Sequence, residues 1–192
     1  MKKKNEVFSQ YIDQYLPTIH NTLRALRSCN LNPQIPYAQF LFSVTEYFGL
    51  LYLTSKGIYE KKSPNNFIDF FGSQHFPVEE RCKSRLLWLI RNGLMHQIFP
   101  KGCGIGVCLE DQLFFSSKNN NNMIILNLRY FDAIIILAVE SLIKNFEENE
   151  KLIENLHKKL IIEHYGFDDH KELDKEILSS FGGDYSKIFS NC

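Results

Sequence analysis

One run of six residues has the types and the spacing to do chemistry: Arg91-Asn92-Gly93-Leu94-Met95-His96. Arginine presents a rigid, permanently charged fork that fits phosphate oxygens. Histidine titrates near neutrality and serves as general acid or base. Asparagine can orient the imidazole or add a donor. The trio suits cleavage of a phosphodiester in RNA, where the substrate's own 2′-hydroxyl is the nucleophile and no set of metal ligands is required. Asn92 and His96 are four apart and share a helix face. Arg91 and His96 are five apart and lie about 140° apart around a helix. All three converge if the long guanidinium stem swings round, or if the helix loosens at Gly93. A plainer role also fits: Arg91 and His96 as cations on the last carbonyls of their helix, with Asn92-Gly93 as a helix-end device. An Arg followed at once by Asn, and then by His at this distance, arises by chance about 0.05 times in a chain of this composition.

The elements that must position this run are mostly helical. Val7, Tyr11, Ile12, Tyr15, Leu16, Ile19, Leu23 and Leu26 step by threes and fours, which predicts an amphipathic helix over 7–28 that Pro17 kinks or splits. A second helix is expected from about Tyr37 to Leu53, with a stripe of Phe40, Leu41, Val44, Phe48 and Leu51. Asn65 to Phe76 is Phe-rich and reads as core rather than an exposed docking patch. The helix bearing the run should begin with Pro77 at its first position and end before Pro100. The period then changes to two around Ile105, Val107 and Leu109, and again at Leu113–Phe115 and Met123–Leu128. This predicts a small antiparallel meander at about 103–128. Helical spacing resumes near Tyr130 and continues to about His164, followed by a short helix over 170–182. The expectation is a mainly α fold: one domain over 1–192, a bundle of five to six helices with that meander inserted, its core over 37–164.

Composition narrows the function classes. The 192 residues carry 22 Lys+Arg against 22 Asp+Glu, so bulk charge does not make this a nucleic-acid binder. The balance hides a dipole: residues 1–110 carry a net +5 and residues 111–192 a net −5. The stretch from Pro77 to Lys101 has a local balance of +3, so positive charge gathers around the run. No apolar stretch approaches a membrane span, and the basic start is not followed by the apolar segment of a signal peptide. Five scattered cysteines, an odd number, argue for a reducing, cytoplasmic setting over a disulfide framework.

With those residues in view, the chain resembles the HEPN superfamily of helical bundles, which occur in toxins, abortive-infection systems and RNA-processing factors. Their motif is an arginine, usually a polar residue next, and a histidine after four to six intervening residues. Here Arg91, Asn92 and His96 match it, and only this short motif is specific. The resemblance implies a metal-independent endoribonuclease with RNA as substrate and no cofactor. It further implies paired motifs from two protomers of a homodimer, and a toxin–antitoxin or phage-defence setting with an antitoxin or other protein partner. Arg91 would bind the scissile phosphate, His96 would move the proton, and Asn92 would orient the histidine or add a hydrogen bond, with water or, as the resemblance implies, the 2′-hydroxyl as the nucleophile. The other reading is a non-catalytic helical module that binds nucleotides or a protein. Glu46, polar within an apolar helix, is a candidate for orienting Arg91.

Other clusters are weaker. Cys103 and Cys108 have the wrong spacing for a zinc knuckle and suit small apolar strand positions. Gly102 to Gly106 follows a helix and enters a strand, the reverse of a dinucleotide-binding loop. His157 and His164 lie about 10 Å apart along a helix, too far for one ion. With His170, Asp168 and Asp169 they suit a solvated face, as does the charged run Glu147–Lys151.

Overall fold

The computed structural model describes residues 2–29, 34–58, 63–97, 103–117 and 123–156. Among these the elements run α1 (Lys2–Ser28), α2 (Gln34–Ser55), α3 (Ser63–Phe71), α4 (Val78–Arg81), α5 (Ser84–Gln97), β1 (Gly104–Gly106), β2 (Phe114–Ser117), β3 (Met123–Asn127), α6 (Leu128–Glu148) and α7 (Glu150–Leu156). The fold is mainly α, a helical bundle with a small three-stranded insert. The expected helix over 170–182 and the histidines 157, 164 and 170 lie outside the described residues.

Helix α2 decides the arrangement. It is apolar around most of its circumference, not along one stripe as its sequence suggests, and a helix of that kind must be surrounded. It packs against α1, α3, α5, α6, α7 and β1. Gly49 permits the closest approach, because a Cβ there would stand 2.0 Å from the Asn66 carbonyl oxygen of α3. Phenylalanines fill the space around it. Phe42 of α2 meets Phe67 of α3 at 5.7 Å and Phe131 of α6 at 5.0 Å between ring centroids, and Phe71 meets Phe76 at 4.4 Å. Phe67, Phe70, Phe71 and Phe76 are all buried, so the Phe-rich segment is core.

Three expected helices differ in their ends. Helix α1 passes Pro17 without a break, with the ring on its exposed face. The helix expected from Pro77 is two helices. Pro77 stands at the N-cap of α4, and the chain tightens where the Lys83 N–H bonds the Glu80 carbonyl, an i→i−3 turn. The last long helix stops at Asn149, which turns extended (φ −135°, ψ 93°) and whose carbonyl accepts the N–H groups of Leu152 and Ile153 to start α7.

The insert is a mixed sheet in the order β1-β3-β2, not the all-antiparallel meander its alternation suggests. Strand β3 pairs parallel with β1 (Ile105 with Leu126) and antiparallel with β2 (Phe115 with Ile125). Asn127 explains the order. Fully buried, it accepts the Cys108 N–H at 3.0 Å and donates to the carbonyls of Glu110 and Gln112 at 2.9 and 3.0 Å. The β1–β2 connection is thereby wrapped around the end of β3. Gly106 lets β1 lie close, since a Cβ there would meet Ile125 at 3.0 Å.

One buried titratable group holds α6 to this core. His75 shares its Nδ1 with the Ser141 hydroxyl at 2.9 Å and packs edge-on against Tyr52. Burial, with the nearby charges of Lys56 and Arg81, lowers its pKa below the ordinary 6.5. As pH falls through that value the unfolded chain takes up a proton that the folded chain refuses. Stability present above pH 6.5 is therefore lost progressively as the medium is acidified. Exchanging His75→Gln, which keeps a hydrogen-bonding group but cannot titrate, is expected to flatten the loss of urea resistance between about pH 7 and 5. Parallel pH profiles for the two proteins would clear His75 of that role.

Candidate functional site

The six-residue run lies entirely within α5, which continues to Gln97 without loosening at Gly93. One side of α5 faces the core through Leu87, Ile90 and Leu94, all fully buried. Helical geometry then sorts the rest. Arg91 lies toward the core side, where α2 is in reach. His96 falls seven residues after Leu89, on the opposite, outward side. His96 and Leu89 are exposed, and Asn92 and Arg91 are intermediate.

Arg91 is held on three sides. Its Nε and NH2 donate to Glu46 Oε2 of α2 at 3.1 and 2.5 Å, and its NH1 donates to Asn92 Oδ1 at 3.4 Å. The guanidinium also lies over the Trp88 ring, 4.7 Å from its centroid. Only 13% of the Arg91 side chain and 21% of Glu46 remain exposed. The sequence expectation that Glu46 orients Arg91 matches this geometry. Trp88 carried no sequence signal for such a role, since a lone aromatic in a helix is indistinguishable from core.

The plain capping role does not fit these residues. Leu94 has one of the last four carbonyls of α5, which lack partners within the helix. It is Gln39 of α2 that donates to it, at 2.8 Å. Arg91 is engaged by Glu46 instead, and His96 makes no side-chain hydrogen bond among the described residues. Thus Arg91 and Asn92 are brought into contact, while His96 stands on the outer side of α5, the side that also carries Leu86 and Leu89 further along the helix, 44% and 55% exposed.

The remaining sequence candidates have other roles. Cys103 is partly buried against the core, and that burial pushes its thiol up to about 11, away from the thiolate that a metal or a nucleophilic role needs. Cys108 gives its backbone N–H to Asn127. Among the described residues no group of three or more His, Cys, Asp or Glu is placed to hold a metal ion, and no helix is long and apolar enough to cross a membrane. Glu147, Glu148 and Glu150 are exposed, as a solvated face requires. In comparisons with known proteins, no family model, no curated protein and no solved structure matches this chain.

The Arg91–Glu46 pair joins α5 to α2 and is mostly shielded from water, so breaking it should be measurable. Glu46→Ala is expected to cost about 1–3 kcal/mol in urea unfolding. Arg91→Lys should lose much of the same amount, because an ammonium cannot reproduce the two-pronged contact or the flat stacking on Trp88. Unchanged stability in Glu46→Ala would show that the pair does not hold α5 in place.

Proposed function

We propose that the protein is a HEPN-like, metal-independent endoribonuclease that works as a homodimer. The observation that supports this reading is the division of labour along α5. A shielded acidic partner and an aromatic ring immobilise Arg91, while His96, one helical turn beyond Asn92, faces outward where a substrate can reach it. A catalytic arginine benefits from being fixed before substrate arrives. A general base must instead reach the reacting proton.

In this reading the RNA 2′-hydroxyl attacks the adjacent phosphorus. His96 takes its proton, the new P–O2′ bond forms, the P–O5′ bond breaks, and the leaving oxygen receives a proton from a second acid. The Arg91 guanidinium retains N–H donors beyond those given to Glu46, and these would bind the phosphate oxygens as charge develops. Asn92 would tie the two groups together. The second acid is supplied by symmetry. A two-fold axis running alongside α5, parallel to the helix, would bury Leu86 and Leu89 against their mates and bring His96 of each protomer beside the other's motif. A cytoplasmic setting in defence or toxin–antitoxin biology goes with this reading.

Exposed Leu86 and Leu89 also favour a second reading, a non-catalytic module that presents α5 to a protein partner. The two differ in a cleavage assay. With chelator present, the wild-type protein is expected to cut single-stranded RNA. His96→Ala is expected to lose at least about 10²-fold in rate with its melting temperature unchanged, because the residue is exposed. Equal rates in the two proteins, or no cleavage by either, would leave the interaction module as the standing reading.

A further inference from the structure

A cavity of about 510 Å³ opens between α1, α2, α6 and the residue that follows β1. That volume lies in the range of small-molecule sites. Among the described residues, Arg27, Gln34, Tyr37, Arg129 and Asp132 form its polar wall, and Val107 and Ala133 contribute apolar surface. The polar wall is unusual in how its hydrogen bonds are shared. Asp132 is only 3% exposed. Its Oδ2 takes every donor: the Tyr37 hydroxyl, the Arg27 Nε at 2.5 Å and the Arg27 NH2 at 2.5 Å. Its Oδ1 is buried and has no partner. A structural ion pair this deeply placed normally satisfies both carboxylate oxygens. Arg27, which covers the carboxylate, is itself 51% exposed along its side chain, so the cover is a group that water already reaches.

The charges limit what can enter. Two guanidiniums against one carboxylate leave the wall with a net positive charge. Arg129 is exposed and sits three residues before Asp132 on α6, on the same face. A cationic ligand would meet Arg27 and Arg129. A simple anion would leave Asp132 Oδ1 unpaired. We propose that this cavity binds a small organic anion that also carries an O–H or N–H donor. The half-exposed Arg27 side chain swings outward on binding, so that the donor reaches the otherwise covered Asp132 Oδ1, the anionic group meets Arg129 and the displaced Arg27 guanidinium, and an apolar body rests on Val107 and Ala133. This site is separate from α5 and does not depend on the chemistry proposed there.

The probe is 4-hydroxybenzoate, titrated into the full chain and followed by calorimetry and amide NMR shifts. Binding with a Kd of about 1 mM or tighter is expected. Benzoate, which lacks the donor, and 4-hydroxybenzyl alcohol, which lacks the charge, should each bind at least about tenfold more weakly. Because Asp132 also holds Arg27 and Tyr37, its replacement endangers the fold, and two exposed positions serve instead. Arg129→Ala should weaken binding about tenfold. Ala133→Phe should fill the cavity and abolish binding while leaving the circular dichroism native. No binding by the folded wild type at about 10 mM would overturn the proposal. So would equal affinity for benzoate, or binding that survives both substitutions.

Discussion

Helix α2 runs through the interior with 13 of its 22 residues buried; its short hydroxyls, Thr45 and Ser55, turn back to its own carbonyls, but its longer polar side chains need groups from other elements. That requirement organises much of what surrounds it. Tyr37 is met by Arg27 of α1 and Asp132 of α6, Gln39 by the Leu94 carbonyl of α5, and Glu46 by Arg91 of α5. At its far end the Ser55 carbonyl accepts from Asn155 of α7 at 2.8 Å. Apolar packing brings these helices together without direction. The polar partners of α2 then fix which residue of each neighbour stands opposite it.

The candidate site is a product of this constraint. Glu46 cannot remain uncompensated on a largely buried helix, and Arg91 compensates it. The same contact turns the core-side face of α5 toward α2 and leaves the opposite face, with His96, toward solvent. An arginine and a histidine about 140° apart on one helix thus acquire different surroundings. One is fixed and shielded, the other open, which is the difference that a phosphate-binding group and a proton-transfer group need. The positive half of the sequence dipole supplies this helix, while the exposed acids of α6 and α7 lie in the negative half.

Much of this is legible in the sequence, and what is not has definite causes. The 3.6-residue period marks the long helices, and the clustered phenylalanines mark the core. Glu46 stands out because a lone carboxylate in an apolar helix needs a partner. The sheet order does not show, since alternation identifies strands but not their neighbours. The deciding residue, Asn127, acts through three backbone groups 15 to 19 positions away. The Arg27–Tyr37–Asp132 cluster is hidden for the same reason, its acid lying 95 positions from the tyrosine and 105 from the arginine. The break at Asn149 could have been foreseen, because asparagine favours the start of a helix over its interior. Pro17 warns of a break that does not occur.

The central claim is that α5 completes its site only when two copies meet, and Leu89→Glu addresses it most directly. The substitution lies on the exposed face and leaves Arg91, Asn92 and His96 in place. Sedimentation and metal-free RNA cleavage should be measured on the same samples. The expected result is a wild-type particle of twice the 22.5 kDa chain and a folded, monomeric Leu89→Glu whose cleavage rate falls by at least about 10²-fold. A wild type that sediments as a monomer, or a monomeric variant that cleaves RNA at the full rate, would contradict the account.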